Sequence, residues 1–274
     1  MPNPIAPLDG ARVRDALAGT RFTDVRTIAE TASTNDDAAA LLGDPSAAGA
    51  TLVAEFQTAG RGRKPGRSWI APPGSALLMT AILPVAVAAD ALWAVPFWTA
   101  LAVADGVEAG CGVRLDLRWP NDLDLDGHKA CGILCVSRVA GATAHVGCGI
   151  GLNVHRAALR QAQGDGVQAQ GDGEFVPAYL SDRVPQVERE AVLAAILGAM
   201  DGLVDVLERP HDVARAWEER AGLRGRPYRL RLDADGRVVD GTAVRLDPAG
   251  GLVVAVDGAE RTVHLADARV VPGG

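Results

Sequence analysis

Apolar residues recur along the chain with two periods, and the changes between them mark out helices and strands. Leu8, Val13 and Leu17 fall on one side of a short helix predicted over residues 9–18. A strand then runs up to Ser33-Thr34-Asn35, after which Ala38, Leu41 and Leu42 take up helical spacing. Residues 51–57 alternate as a strand does, and residues 76–83 are apolar apart from Thr80, as expected of a buried strand. The apolar stretch continues to Ala104 but is broken by Pro84, Asp90 and Pro96, which separates that strand from a helix over residues 89–109 and makes the whole a core, not a membrane span. Three more strands are predicted over 114–119, 129–139 and 143–150, the last two joined at Ala140-Gly141. From Glu188 to near Pro210, Leu193, Ile196, Leu197, Met200, Leu203, Val204 and Leu207 keep the 3.6-residue period of an amphipathic helix, and a second helix carries Trp217. Beyond Gly225 short β-rich runs start at Tyr228, Val238, Leu252 and Arg261, with Asp235-Gly236 and Asp257-Gly258 among the turns between them. The pattern predicts an α+β fold: a mixed sheet with flanking helices over residues 1–224, then a small β-barrel over 225–274.

Composition narrows the function. Hydrophobic residues make up 48% and charged residues 22%, enough apolar surface for a core, and the net charge of -7 excludes the broad basic field that binds nucleic acid or anionic lipid without specificity. Any anion therefore needs a local basic site. Four cysteines in 274 residues do not read as a disulfide framework, and Met1-Pro2-Asn3-Pro4 starts no basic-then-apolar leader, so a cytoplasmic location is expected. The near-repeat of Gln161-Ala162-Gln163-Gly164-Asp165-Gly166 at 168–173 reads as a surface insertion.

One local basic site stands out. Residues 60–67 place Arg61, Arg63, Lys64 and Arg67 among three glycines, a composition that lets the backbone approach a polyanion closely and that also suits a solvated basic hairpin. It is not a P-loop, since no Gly-Lys-Ser/Thr opens a helix. Pro120-Asn121-Asp122 follows a strand and Lys129 begins the next. As separate features these are an Asx turn and an exposed cation; together they offer an amide, a carboxylate and an ammonium to a nucleotide, a magnesium ion and a reacting carboxylate. Gly147, Gly149 and Gly151 bare one face of a strand, either for a flat ligand or for a closely packed helix. Ser33 or Thr34, with an acid three residues on, has the form of a capping box. His128, Cys131 and Cys135 make a poor zinc set, because strand geometry separates the two thiols. No Gly-x-Ser-x-Gly elbow supports a hydrolase triad.

Five motifs occur in order: Ser33-Thr34-Asn35; Gln57-Thr58-Ala59-Gly60-Arg61-Gly62-Arg63 with Gly66-Arg67 and Trp69; Trp119-Pro120-Asn121-Asp122; Lys129; and Gly149-Ile150-Gly151-Leu152-Asn153. The set resembles biotin protein ligase, the biotin-[acetyl-CoA-carboxylase] ligase family, from about residue 28 to the C-terminus, more weakly between Arg156 and Glu188. The resemblance implies a catalytic domain related to lipoate ligases and an SH3-like C-terminal barrel. It also implies ATP and Mg2+ as co-substrate and metal, biotin as substrate, no prosthetic group, and activation of biotin as biotinoyl-5'-AMP before transfer to a lysine of a biotin carboxyl carrier domain. In these terms Lys129, Arg63 and Asp122 would be catalytic, with Asp122 assisting Mg2+. Ser33, Thr34, Asn35, Gln57, Arg61, Gly62, Arg63 and Lys129 would hold biotin. Arg63, Arg67, Trp69, Asn121, Asp122 and Asn153 would hold ATP, Trp69 by stacking on the adenine. Where the family has one residue after Gly-Arg-Gly-Arg, this chain has Lys64-Pro65. About thirty residues precede Ser33, too few for the DNA-binding domain that some members carry, so no repressor role and no DNA partner are expected; a monomer or weak homodimer with no membrane partner is expected besides. A lipoate or octanoyl ligase or transferase of the same fold, and a non-catalytic biotin or nucleotide-binding regulator, are the alternatives.

Overall fold

The computed structural model describes residues 5–64, 66–156, 176–264 and 268–271; the repeat at 161–173 lies outside them. Asp9 caps helix α1 (Gly10–Ala16) by accepting from the amides of Ala11 and Arg12, and β1 (Val25–Thr31) leads into α2 (Thr34–Leu41). Strand β2 (Thr51–Gln57) pairs in parallel with β1 and antiparallel with β3 (Ala76–Ile82), all of whose residues are buried. A two-residue strand, β4 (Val87–Ala88), precedes the chain's most apolar helix. Only residues 95–111 of that segment are α-helical, as α3 (Val95–Cys111): Pro96 sits in its first turn, and residues 89–94 wind as a 3₁₀ turn instead. Gly112, at φ 73°, closes it.

The hairpin that follows is tighter than the apolar pattern suggested. Strands β5 (Asp116–Arg118), β6 (Asp122–Leu125), β7 (His128–Ala140) and β8 (Thr143–Asn153) form a meander, and β6 was hidden in sequence by the turn-forming asparagine and aspartates around it. Helix α4 (Arg189–Leu203) ends earlier than its apolar period, which continues through a 3₁₀ turn before α5 (Pro210–Ala221). The large sheet has the order β1-β2-β3-β8-β7-β6-β5, with β4 paired to β8.

Helices α3 and α4 pack closely at Gly106, where a Cβ would stand 2.4 Å from the Ile196 backbone, and they cover one face of this sheet. Odd-numbered residues of β3 and even-numbered residues of β8, among them Leu77, Met79, Cys148 and Ile150, point into that core. Their neighbours, Leu78, Thr80, Gly149 and Gly151, face the other side, with α2 and the loop after β2. That side carries the site.

The remaining strands, β9 (Pro227–Leu232), β10 (Val238–Leu246), β11 (Leu252–Val256), β12 (Ala259–Val263) and β13 (Ala268–Val270), make a separate antiparallel sheet in the order β12-β11-β10-β9-β13. Its Tyr228, Leu230 and Leu252 join the main core. Among the described residues no helix is long and apolar enough to cross a membrane.

Candidate active site

The floor of the site is two strands stripped of side chains. Gly132 of β7 and Gly151 of β8 are register partners, and a Cβ on either would fall 2.8 or 2.6 Å from the Trp69 ring. At Gly149 a Cβ would lie 2.2 Å from Asn35 Oδ1. The glycine face expected to receive a ligand is thus covered in large part by the protein's own Trp69 and Asn35. The loop delivers the indole: Gly62 N donates to Arg67 O at 2.8 Å and Trp69 N to Gly60 O at 2.9 Å, folding residues 60–69 into a hairpin bridged at Arg61 and Ser68.

One wall is a hydrogen-bond network. Gln57 Oε1 accepts from Thr34 N at 2.8 Å and from Thr34 Oγ1 at 3.0 Å. Asn35 Nδ2 donates to Leu134 O at 2.9 Å, which turns Oδ1 toward Thr80 Oγ1 at 2.8 Å; that hydroxyl is also 2.9 Å from Thr34 Oγ1. Thr80 is fully buried, and nothing in its apolar sequence neighbourhood distinguished it from an ordinary core threonine. The capping box is absent. Ser33 occupies the cap position without a side-chain bond, and Asp37 accepts from Thr31 Oγ1 at 2.7 Å instead.

The opposite wall carries charge. Lys129 Nζ stands 2.8 Å from Asp122 Oδ1 and 5.5 Å from the centroid of the Trp69 ring. Asn121 locks the turn before β6 onto β7, its Nδ2 donating to Ile133 O at 2.7 Å and its carbonyl accepting from Ile133 N at 2.8 Å. Arg63 donates to Ala268 O of β13 at 3.2 Å; burial lowers its pKa, opposed by the carboxylates of Asp122 and Asp233. Lys64 pairs with Asp233. Arg118 Nη1 bonds Asp124 Oδ2 at 2.8 Å, yet burial holds the Asp124 carboxyl above the usual range.

These side chains line two adjoining clefts. Ser33, Thr34, Asn35, Gln57, Arg61 and Gly62 line the first, and Gly62, Arg67, Asp122, Arg118 and Asp124 the second. Arg63, Trp69, Asn121 and Lys129 belong to both and form the joint. Arg61 lies at the rim, paired with Asp36 at 2.5 Å. One residue departs from expectation. Asn153 lies outside both clefts, 1% exposed, with Nδ2 donating to Ala178 O at 3.1 Å, because β8 continues past the cleft and its end ties down the returning chain. Trp69 is 8% exposed and clusters with Ala54, Ala71, Ala76 and Leu78, so most of its surface is covered by protein while the rest lines both clefts.

Residues 29–153 match the biotin/lipoate A/B protein ligase family, and every strand and loop of the two clefts apart from β13 falls within that span. The biotin--[acetyl-CoA-carboxylase] ligase of Paracoccus denitrificans is 40% identical over 131 residues, covering 46% of this chain and 53% of that one. The Mycobacterium tuberculosis enzyme of the same name is 35% identical over 158 residues, covering 55% and 58%. The chain spans about half the length of the curated relatives it matches. In fold it is similar to the biotin protein ligase from Aquifex aeolicus solved with biotin and ATP, at a TM-score of 0.69 and 21% identity over 91% of this chain and 99% of that one.

The two clefts offer no preformed metal cage: among the described residues no three His, Cys, Asp or Glu side chains gather. Magnesium does not require one, since it is commonly held by one or two carboxylates together with substrate phosphates. Asp122, on the wall of the second cleft and 2.8 Å from Lys129 Nζ, fits that mode of binding.

Proposed function

We propose that the chain is an ATP-dependent ligase that activates biotin as biotinoyl-5'-AMP and transfers it to a lysine of a biotin carboxyl carrier domain. The observation that carries this reading is the joint: Arg63 and Lys129 belong to both clefts, one walled by neutral hydrogen-bonding groups and the other by Arg67, Arg118 and Asp122.

Biotin takes the first cleft, where Ser33, Thr34, Asn35 and Gln57 offer donors and acceptors to its polar ring, and Arg61 guards the rim. The nucleotide takes the second, its phosphates toward Arg67 and its base toward the turn at Asn121. The biotin carboxylate and the α-phosphate then meet at the joint. Both are anionic, so Lys129 and Arg63 offset their repulsion and stabilise the charge that builds as a carboxylate oxygen bonds to phosphorus and the bond to pyrophosphate breaks. A magnesium ion, held by Asp122 and the phosphates, supplies further Lewis-acid neutralisation when bound. In the second step a carrier lysine amine attacks the biotinoyl carbonyl and AMP leaves. Closure of the 60–69 hairpin over the joint excludes water from the mixed anhydride. The four cysteines are free thiols, which supports a cytoplasmic setting.

The test is biotin-dependent exchange of labelled pyrophosphate into ATP. Exchange with biotin and not with lipoate or octanoate is expected; exchange with lipoate alone would overturn the assignment.

A further inference from the structure

The motif at residues 119–122 stops two residues short of a second carboxylate. Along β6, Leu123 and Leu125 point into the main core, so Asp122 and Asp124 share the opposite face, and both line the second cleft. Asp124 is 2% exposed. Its Oδ2 accepts from Arg118 Nη1 at 2.8 Å, but its Oδ1 is buried with no hydrogen-bond partner among the described residues. The same holds for Asp122 Oδ1, which lies 2.8 Å from Lys129 Nζ without making a hydrogen bond to it. A buried acceptor without a donor is costly, and two on one face of one strand call for a single group that serves both. A ribose hydroxyl or a base amine would serve one. Phosphate oxygens serve neither, since they are acceptors of the same charge as the wall. A divalent cation is attracted to both carboxylates and to phosphate, and magnesium is commonly held by one or two carboxylates together with substrate phosphates.

We infer that Asp124 is a second metal-ligating carboxylate of the second cleft, acting with Asp122 to hold a divalent cation between the protein and the nucleotide phosphates. The inference deepens the ligase reading and rests on it for the choice of ATP as the nucleotide. Arg118, by occupying Oδ2, fixes the direction in which Asp124 Oδ1 faces.

The experiment titrates the wild type, D124N and D124E by calorimetry, with and without Mg2+, using an ATP analogue whose α- and β-phosphates are joined through a methylene so that no adenylate can form. D124N keeps the side-chain shape and an oxygen for Arg118; D124E keeps the charge but moves it by one methylene. Mg2+ is expected to tighten analogue binding to the wild type, and that gain should fall about tenfold in D124N and in D124E, while affinity without metal should not fall. In a D122N background, D124N should cost less than it does alone, because the two carboxylates then no longer share an ion. Thermal melting checks that the variants fold, and should D124N not fold, D124E decides. An unchanged gain would leave Asp124 as a partner of Arg118 only and overturn the inference. So would an affinity loss that is equal with and without Mg2+, which would assign Oδ1 to a hydroxyl or amine of the nucleotide. A wild type that shows the gain but exchanges no pyrophosphate with biotin would sink the ligase reading and leave this inference standing; exchange without any gain would overturn this inference alone, and a wild type that binds no analogue would overturn both.

Discussion

Replacing Thr80 with valine removes one buried hydroxyl and almost no volume, which isolates the polar network of the first cleft. Thr80 is fully buried in β3, and its hydroxyl donates to Asn35 Oδ1 at 2.8 Å. The Asn35 amide group is committed to Leu134 O at 2.9 Å, so Oδ1 has no obvious route to another donor without breaking that bond. A buried acceptor left without a partner costs about 1–3 kcal/mol, and the methyl group that replaces the hydroxyl leaves no cavity to add to it. Taking about 2 kcal/mol, the folding equilibrium falls roughly thirtyfold. For a chain of this size the melting temperature should drop by about 3–4 °C. Because Thr34 and Asn35 lose their common anchor, biotin affinity should weaken about tenfold. Chemical denaturation monitored by tryptophan fluorescence gives the first quantity and titration calorimetry the second, with T80S as the control that keeps the hydroxyl. A T80V protein as stable as the wild type, binding biotin equally well, would refute the claim that this hydroxyl organises the pocket.

Three further outcomes are expected. K129A should lower the single-turnover rate of adenylate formation by about a hundredfold or more, since removing a cation aimed at developing charge costs roughly 3 kcal/mol; a loss under about fivefold would return Lys129 to a surface role. Burial raises the Asp124 pKa in the folded state, so the native protein binds the extra proton, and stability should decline as pH rises from the ordinary carboxylate value of about 3.9 through the raised native one. D124N should flatten that part of a stability-against-pH curve, and a wild-type curve that rises across this window would contradict the assignment. Cleavage by trypsin after Arg63 or Arg67 should slow when biotin and ATP are added together, whereas equal digestion with and without them would count against closure of the 60–69 hairpin.

The parts of this molecule that were legible in sequence are those where one physical cause acts alone. The strand at residues 76–82 announced itself because both its faces are buried, and the basic loop because glycine and arginine have little other reason to alternate there. Where two causes compete, the pattern misled. Pro96 begins the α-helix later than the apolar run does, and Val204 to Glu208 keep helical apolar spacing while winding as a 3₁₀ turn. The Ser33 motif had the composition of a cap, but Gln57, 23 residues away, outcompetes local capping for the Thr34 amide. Thr80 was invisible because its meaning lies in Asn35, 45 residues distant in the chain. Trp69 and Asn153 were read from motif position, and their burial depends on neighbours from other strands that a motif does not contain.

The contact between the small C-terminal sheet and the strand end before Asn121 has a consequence for how such proteins are built. Trp119 is fully buried, with its backbone N–H donating to Tyr228 Oη at 3.3 Å and its indole N–H donating to Gly250 O at 3.1 Å. The residue immediately before the Pro120-Asn121-Asp122 turn is therefore sealed by two points of the C-terminal sheet far apart in sequence, one on a strand and one in a turn. A foreign β-module spliced on after α5 would have to reproduce both acceptors at the same spacing, or leave a large indole facing water. The C-terminal sheet is thus not an exchangeable cassette: its sequence and that of the turn at residues 119–122 are free to drift only as a pair.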